Sequence, residues 1–172
     1  MNTSPTNIHH KGFSLIEMII YISIVTVTFV IVVNTILSFT HSYRSLTALR
    51  LVEHTGVDAM ERMSRDIRFA GIVDTANSTL GSSPGVLTIV STVSGVVTTT
   101  KFYLQNDVVK VDVNGVYVGP LTISNTTVTS LLFTRLTNSV SSAVKVDMTV
   151  SATVSDVTKT NTYHSTIILK GT

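Results

Sequence analysis

The apolar run over residues 13–39 constrains this chain more than any other feature of its sequence. A helix that crosses a bilayer needs about 20 mainly apolar residues, each rising about 1.5 Å, and this run is long enough. Ser23, Thr26 and Thr28 interrupt it, but in a helix their hydroxyl groups can bond to carbonyl oxygens one turn back. The sequence therefore predicts a transmembrane helix over residues 13–39.

One carboxylate, Glu17, stands near the start of this run. A cleaved secretory signal is disfavoured, because its apolar region covers about 7–15 residues and ends at a small-residue cleavage site. Here the run is longer, and after Val33 the chain continues with Asn34-Thr35-Ile36-Leu37 and not with a small-residue cleavage site. A plain single-pass anchor explains the run but not the acid, which costs about 2.5–3.5 kcal/mol at a helix centre and less near an interface. A partner for Glu17 would remove this conflict.

The junction Lys11-Gly12-Phe13 can supply that partner. If the chain is cut between Gly12 and Phe13, the new α-amino group of Phe13 lies one helical turn from Glu17, in the same chain or in a neighbouring one. The start of a helix also favours a nearby carboxylate. Glu17 would then fix the register of stacked subunits, since it finds an amine only when they are correctly aligned.

The stretch Gly12-Phe13-Ser14-Leu15-Ile16-Glu17 follows a short polar leader with a basic residue and opens a long apolar run. In these features it resembles the prepilin cleavage and methylation motif of type IV pilins and type II secretion pseudopilins. The resemblance implies that a membrane-embedded prepilin peptidase cuts after Gly12 and N-methylates Phe13. It also implies that the carboxylate of Glu17 meets the N-terminal amine of a neighbouring subunit during assembly.

The same resemblance implies where the protein works and with what. Its partners would be the prepilin peptidase, other pilin or pseudopilin subunits, the inner-membrane assembly platform and membrane lipid. The chain would be held in the cytoplasmic membrane by a single pass, with its C-terminal domain outside the cytoplasm, and then enter a pilus or pseudopilus. Basic residues on both sides of the run (Lys11, then Arg44 and Arg50) do not fix this orientation by themselves.

Residues 40–70 continue the helical pattern as an amphipathic helix. Apolar and small residues recur at spacings of three and four, which predicts one buried stripe. The predicted stripe consists of Leu46, Leu49, Val52, Gly56, Ala59, Met60, Met63, Ile67 and Ala70. Glu61 and Arg65 have the i,i+4 spacing of an ion pair, and Gly71 ends the helix.

Residues 71–172 are rich in Thr, Val and Ser, a composition that favours strands. After a loop over residues 73–85, alternation and turn signals predict strands over residues 86–93, 96–104, 108–113, 116–118, 128–137, 143–154 and 163–170. Asn114-Gly115 is the strongest hairpin signal. The predicted fold class is α+β and pilin-like: a long N-terminal helix, transmembrane in its first half, whose second half packs on a small antiparallel β-sheet domain.

Two further stretches narrow the resemblance. The sequence AMERMSRDIRFAG at residues 59–71 resembles the helix end of J-type minor pseudopilins and PilW-type minor pilins, where an Asp-Ile/Leu-Arg step precedes the globular domain. The strand sequences KFYLQNDVVKV, VTSLLFTRL and VKVDMTV resemble the same group. This resemblance implies a minor subunit, at or near the filament tip, that helps to start assembly.

Composition and motifs argue against catalysis. The chain has no cysteine, which excludes thiol chemistry, and its net charge of +2 comes from scattered basic residues, which argues against nucleic-acid contact. Neither a phosphate-binding loop nor an H-E-x-x-H motif occurs in the sequence. The stretch Gly81-Ser82-Ser83-Pro84-Gly85 superficially resembles a nucleophile elbow, but it lies in a predicted loop. The sequence therefore predicts no enzyme and no cofactor.

The histidines and acids give no metal site either. The histidines do not cluster in sequence; they are His9, His10, His41, His54 and His164. Asp107, Asp112 and Asp147 lie near predicted turns or on wet strand faces, where they could hold Ca²⁺, but isolated acids in such places are usually solvated. We therefore expect no metal.

The domain organisation is a prepilin leader over residues 1–12, a transmembrane and assembly helix over 13–39, an amphipathic helix over 40–70 and a β-sheet domain over 71–172. The leading hypothesis is a structural pilin or pseudopilin subunit. The alternative is a single-pass anchored binding or adhesion module that never enters a filament. An anchored enzyme is a third hypothesis, without support from a motif. The sequence leaves open whether the filament is a pilus, a secretion pseudopilus or a DNA-uptake filament.

Overall fold

The computed structural model describes residues 12, 14–138 and 141–170. Within them the chain forms one helix and eight strands, and it divides into two compact units, residues 1–42 and 43–172. The elements are α1 (Leu15–Phe69), β1 (Ile72–Val73), β2 (Val86–Val93), β3 (Val96–Gln105), β4 (Val108–Val113), β5 (Val116–Pro120), β6 (Thr126–Thr137), β7 (Ser142–Val154) and β8 (Val157–Ile168). The predicted α+β class is confirmed.

The part of α1 in the first unit is apolar and exposed along its whole length. An 18-residue window of this helix has a mean hydropathy of 2.5, and none of that window is buried. The hydroxyl groups of Ser23, Thr26 and Thr28 each donate to a carbonyl oxygen four residues back at 2.8 Å, as the sequence predicts. Such a helix is compatible with a single-pass membrane anchor.

The part of α1 in the second unit buries one stripe, as predicted, but the stripe is shifted at its start. Leu46 and Leu49 were expected in it and are exposed, whereas Ala48 and Thr55 are buried. The reason is geometric: the face that contains Val52 continues back to Ala48 at 3.6 residues per turn, so the two large leucines lie off it.

One predicted ion pair on α1 is wrong. Arg62 pairs with Asp66 at 2.8 Å, and Arg65 lies 3.9 Å from the same carboxylate, so within the described residues Arg65 does not pair with Glu61. Asp66 is the more buried acid of this cluster and draws both guanidinium groups.

The strands form two antiparallel sheets rather than one. The five-stranded sheet has the order β1-β2-β3-β4-β5, and the three-stranded sheet has the order β6-β7-β8. Asn114 and Gly115 join β4 to β5 with φ of 51° and 78°, as a tight hairpin turn with positive φ at both central residues requires. The N–H of Val128 donates to the carbonyl of Asp107 at 2.8 Å and links the sheets.

Strand boundaries follow the prediction in the middle of the chain and depart from it at the ends. β2 and β4 have the expected bounds, but β5 continues to Pro120 and β1 was missed. The last strand begins at Val157, six residues before the expected start at Tyr163. The first residues of this strand do not alternate between polar and apolar side chains. Their hydroxyl groups instead form hydrogen bonds to the neighbouring strand, as between Thr153 and Thr158 at 2.8 Å.

A single core joins α1 to both sheets within the second unit. Met63 of α1, Phe102 of β3, and Leu131 and Phe133 of β6 are completely buried in it. Burying apolar area is the main source of stability for such a domain, at roughly 25 cal/mol per Å². The outer faces of the sheets carry polar side chains together with exposed apolar ones such as Val97 and Ile168.

β5 is an edge strand: within the described residues it pairs only with β4. Its first three residues, Val116, Tyr117 and Val118, are exposed, and Pro120 ends it. The β4–β5 register shifts between Val111 and Asp112, which marks a bulge or irregularity in the ladder.

Candidate functional site

The start of α1 carries the residues that the sequence singles out. Ser14 immediately precedes the first helical residue, and its Oγ accepts the N–H of Glu17 at 3.3 Å. Ser14 is therefore the N-cap and Glu17 is the third helical residue, which is the S-x-x-E spacing of a capping box. Sequence reasoning missed this cap, although the S-x-x-E pattern was there to find it.

Gly12 and Phe13 flank the expected cleavage point. Gly12 is exposed, and a Cβ added there would meet nothing within 4 Å. Phe13 lies outside the described residues, so of the two residues that flank the expected cleavage point the structure describes only Gly12. The backbone at Gly12 is thus open to a protein that approaches it.

Glu17 is exposed in the first turn of α1. Within the described part of the chain its carboxylate forms no ion pair, although the capping hydrogen bond engages its backbone N–H. The first turn of a helix favours a negative charge, because its N–H groups are unpaired and the helix dipole is positive there. Glu17 can therefore serve the helix start and still accept a partner.

Apolar side chains surround Glu17 on the same helix. Leu15, Ile16, Met18 and Ile20 are all more than half exposed. Contiguous exposed apolar surface of this extent is typical of a surface that contacts lipid or another protein. Within the described residues 14–40, Glu17 is the one charged side chain on this apolar surface.

The acids considered for Ca²⁺ lie apart in the fold. Asp107 is in the β3–β4 turn, Asp112 on β4 accepts the hydroxyl of Tyr103 at 3.1 Å, and Asp147 belongs to the other sheet. Among the described residues, no group of three or more His, Asp and Glu side chains could hold a metal ion.

Asp147 sits in a cross-strand cluster on the outer face of the three-stranded sheet. It lies opposite His164 in the register, accepts from its Nδ1, and has Lys145 Nζ at 3.0 Å. Partial burial raises the pKa of Asp147, but the hydrogen bonds from His164 and Lys145 outweigh it, so the pKa lies below its usual range. The cluster is electrostatic support for the β7–β8 pair.

The loop at Gly81-Ser82-Ser83-Pro84-Gly85 attaches the chain to β6. Gly81 and Gly85 donate their N–H groups to the carbonyls of Phe133 and Leu131, both at 2.8 Å. Ser83 Oγ accepts the N–H of Leu131 at 3.2 Å. The serine that resembles a nucleophile therefore makes structural hydrogen bonds in a loop.

Comparisons of this chain with protein-family models, with curated proteins and with solved structures give no match.

Proposed function

We propose that this chain is a structural minor subunit of a type IV pilus or type II secretion pseudopilus. A prepilin peptidase cuts it after Gly12 and N-methylates Phe13, and the mature chain enters the filament from the cytoplasmic membrane. The observation that carries this proposal is Glu17: an exposed acid one turn into a capped, apolar, exposed helix, directly after Gly12-Phe13.

The exposed apolar surface of α1 is suited to two environments that the subunit occupies one after the other. In the membrane, lipid covers side chains such as Ile24 and Phe29, which are 58% and 67% exposed. In a filament, the helices of neighbouring subunits cover the same side chains. The exchange of lipid for helix contacts changes little apolar burial, so packing and polar pairs decide the association.

Glu17 supplies the polar pair. Its carboxylate has no ion-pair partner within the described residues, and cleavage creates a cation at Phe13 of each subunit. An acid and an amine that meet away from water attract each other strongly, whereas an unpaired acid there is penalised. Correct stacking of subunits is therefore favoured over misaligned stacking.

The assembly platform and other pilin or pseudopilin subunits are the partners of this process. The sheet domain contributes surface contacts, and the resemblance to J-type and PilW-type minor subunits favours a position at or near the tip. The alternative is a single-pass anchored binding or adhesion module, which the long apolar helix supports equally but which gives Glu17 no role.

The deciding experiment is intact mass and N-terminal sequencing of the protein extracted from membranes, from its native host or with a prepilin peptidase co-expressed. We expect a chain that begins at N-methylated Phe13. A Gly12→Leu variant is the matched control and should stay uncut, because the peptidase would meet a bulky side chain where the wild-type chain has none. A wild-type chain that still begins at Met1, with a peptidase active on another substrate, refutes the proposal and leaves the anchored module.

A further inference from the structure

A polar cleft of about 350 Å³ opens on the outer face of the five-stranded sheet. It lies between the loop that follows β1 and the β4–β5 hairpin. The residues that line it include Asp74, Asn77, Thr88, Lys101 and Asp112. The cleft belongs entirely to the second unit and involves neither Gly12 nor Glu17.

The floor of the polar cleft is fixed by strand register. Thr88 of β2 pairs with Lys101 of β3, and Lys101 pairs with Asp112 of β4. Neighbouring strands lie about 4.8 Å apart, so these three side chains form a row across the sheet. Phe102, next to Lys101, is completely buried, so the row lies on the face away from the core.

Both carboxylates of the polar cleft are held in place. Asp74 accepts the side-chain amide of Asn77 at 2.7 Å and the backbone N–H groups of Ala76 and Asn77. The hydrogen bond from the Asn77 side chain lowers the pKa of Asp74 and outweighs the opposing effect of burial. Asp112 accepts the hydroxyl of Tyr103, whose pKa is raised by burial first and by Asp112 second, so the tyrosine stays a neutral donor.

Lys101 lies between Asp74 and Asp112, and the N–H groups of its ammonium can donate to a ligand. Its Nζ lies 5.6 Å from the centre of the Tyr103 ring, and within the described residues it has no ion-pair oxygen within 4.0 Å. The polar cleft thus presents a cation in its floor and a carboxylate on either side. All three groups can form charge-assisted hydrogen bonds with a ligand.

This arrangement of charges disfavours ligands that carry charge of one sign only. Lys101 repels a metal ion or an ammonium group at the centre of the cleft, and Asp74 and Asp112 repel an anion. A neutral ligand with several hydroxyl groups avoids both penalties, because each hydroxyl donates to a carboxylate or accepts from the ammonium.

We propose that the polar cleft binds a neutral saccharide through Lys101, Asp74 and Asp112. Adjacent hydroxyl groups of a sugar ring bridge the ammonium and a carboxylate. The volume lies at the low end of the range for ligand sites, which fits one sugar unit at the end of a glycan. This binding is independent of whether the chain enters a filament.

The test uses the full chain in a detergent without a sugar headgroup. Saturation-transfer NMR is recorded with methyl glycosides of glucose, galactose, mannose and N-acetylglucosamine. The variants are Lys101→Ala and Asp112→Asn, and the matched controls are Lys170→Ala and Asp58→Asn, both away from the polar cleft. Circular dichroism checks that every variant is folded.

We expect transfer to at least one glycoside, with affinity lowered about tenfold or more in the cleft variants and unchanged in the controls. Absence of transfer to all four glycosides overturns the proposal. So does equal binding by the cleft variants and wild type. Competition by glycine or Ca²⁺ at the same residues also overturns it, because a charged ligand is then the better fit.

Discussion

Gly56 of α1 lies directly against the aromatic ring of Tyr163 in β8. A Cβ at Gly56 would stand 2.1 Å from Cε2 of that ring, well inside van der Waals contact. The hydroxyl of the same tyrosine donates to the backbone carbonyl of Val52 at 3.1 Å. The helix and the three-stranded sheet therefore meet at a position where the helix has no side chain.

Gly56→Ala should destabilise the sheet domain. Alanine favours a helix over glycine by about 1 kcal/mol, but overpacking against the ring costs about 1–3 kcal/mol, and the ring cannot retreat without losing its hydrogen bond. We expect the melting temperature of the second unit to fall by several degrees. Thermal unfolding followed by far-UV circular dichroism measures this.

Two further variants test the cause. Tyr163→Leu combined with Gly56→Ala should recover part of the loss, because the ring is gone. Gly119→Ala, where an added Cβ meets nothing within 4 Å, should leave the melting temperature nearly unchanged. A Gly56→Ala protein more stable than wild type would mean that helix propensity decides at this contact.

Tyr163→Phe isolates the hydrogen bond to Val52. The ring remains and only the hydroxyl is lost, so we expect a loss of about 1 kcal/mol in the free energy of unfolding. Urea unfolding of the full chain in detergent gives this quantity. No change in the urea midpoint would show that water replaces the tyrosine at the Val52 carbonyl.

Asp147→Asn should weaken the acid sensitivity of the sheet domain. The folded pKa of Asp147 lies below the ordinary value of 3.8. Its ionised form therefore contributes stability that is present above the unfolded pKa and is lost as the pH falls through the lowered folded pKa. Urea midpoints measured at neutral pH and below pH 4 should differ more in wild type than in the variant.

A matched control for this pH dependence is Asp58→Asn, which removes an exposed acid on α1 that pairs with His54. It should keep the wild-type difference between the two pH values. An equal difference for Asp147→Asn would assign the acid sensitivity to other carboxylates.

Val52→Ala and Leu46→Ala should separate the buried and exposed faces of α1. Val52 is completely buried and Leu46 is 57% exposed. We expect Val52→Ala to cost roughly 2 kcal/mol of unfolding free energy and Leu46→Ala less than about 0.5 kcal/mol. Equal losses in urea unfolding would contradict the shifted stripe.

Glu17→Gln and Ser14→Ala should separate the charge of the acid from its place in the capping motif. Glutamine fits the third helical position of a capping box as glutamate does, so Glu17→Gln keeps the helix start and removes the charge. Under the proposed function this variant is inserted and cleaved but fails to enter filaments. Ser14→Ala loses about 1 kcal/mol of cap energy and keeps assembly.

The readout is the amount of each variant in sheared filaments relative to the membrane fraction. Incorporation of Glu17→Gln at the wild-type level would favour the anchored module, in which the acid has no partner. Loss of incorporation in both variants would mean that assembly needs the cap at Ser14 as well as the charge of Glu17.

The alternating residues of β7 show what the sequence could predict. Val144, Val146, Met148 and Val150 are completely buried, as their period of two requires. The first half of β8 carries no such signal, because its side chains are polar on the outer face and bond across the sheet, as Thr162 does with Thr149 at 3.0 Å. A strand stabilised by hydroxyl pairs lacks the alternating apolar pattern, so sequence analysis predicts a loop there.

The cleavage site and the polar cleft also differ in how far the sequence alone could predict them. Gly12 and Glu17 are close in sequence, so a local motif was enough to single them out. Asp74, Lys101 and Asp112 come from three separate segments. The register of β3 and β4 places Lys101 beside Asp112, and the backbone N–H of Asp74 joins the segment after β1 to Thr88 of β2. Local periodicity contains no information about that register.

The edge of the five-stranded sheet has a consequence for how the protein behaves at high concentration. An exposed strand with Val116, Tyr117 and Val118 in sequence is a template on which another chain could add β-structure. Pro120 has no N–H to offer, and the shifted register beside Asp112 interrupts the regular ladder only a few residues away. Growth of an unwanted cross-β stack from this edge is thus limited to a very short segment.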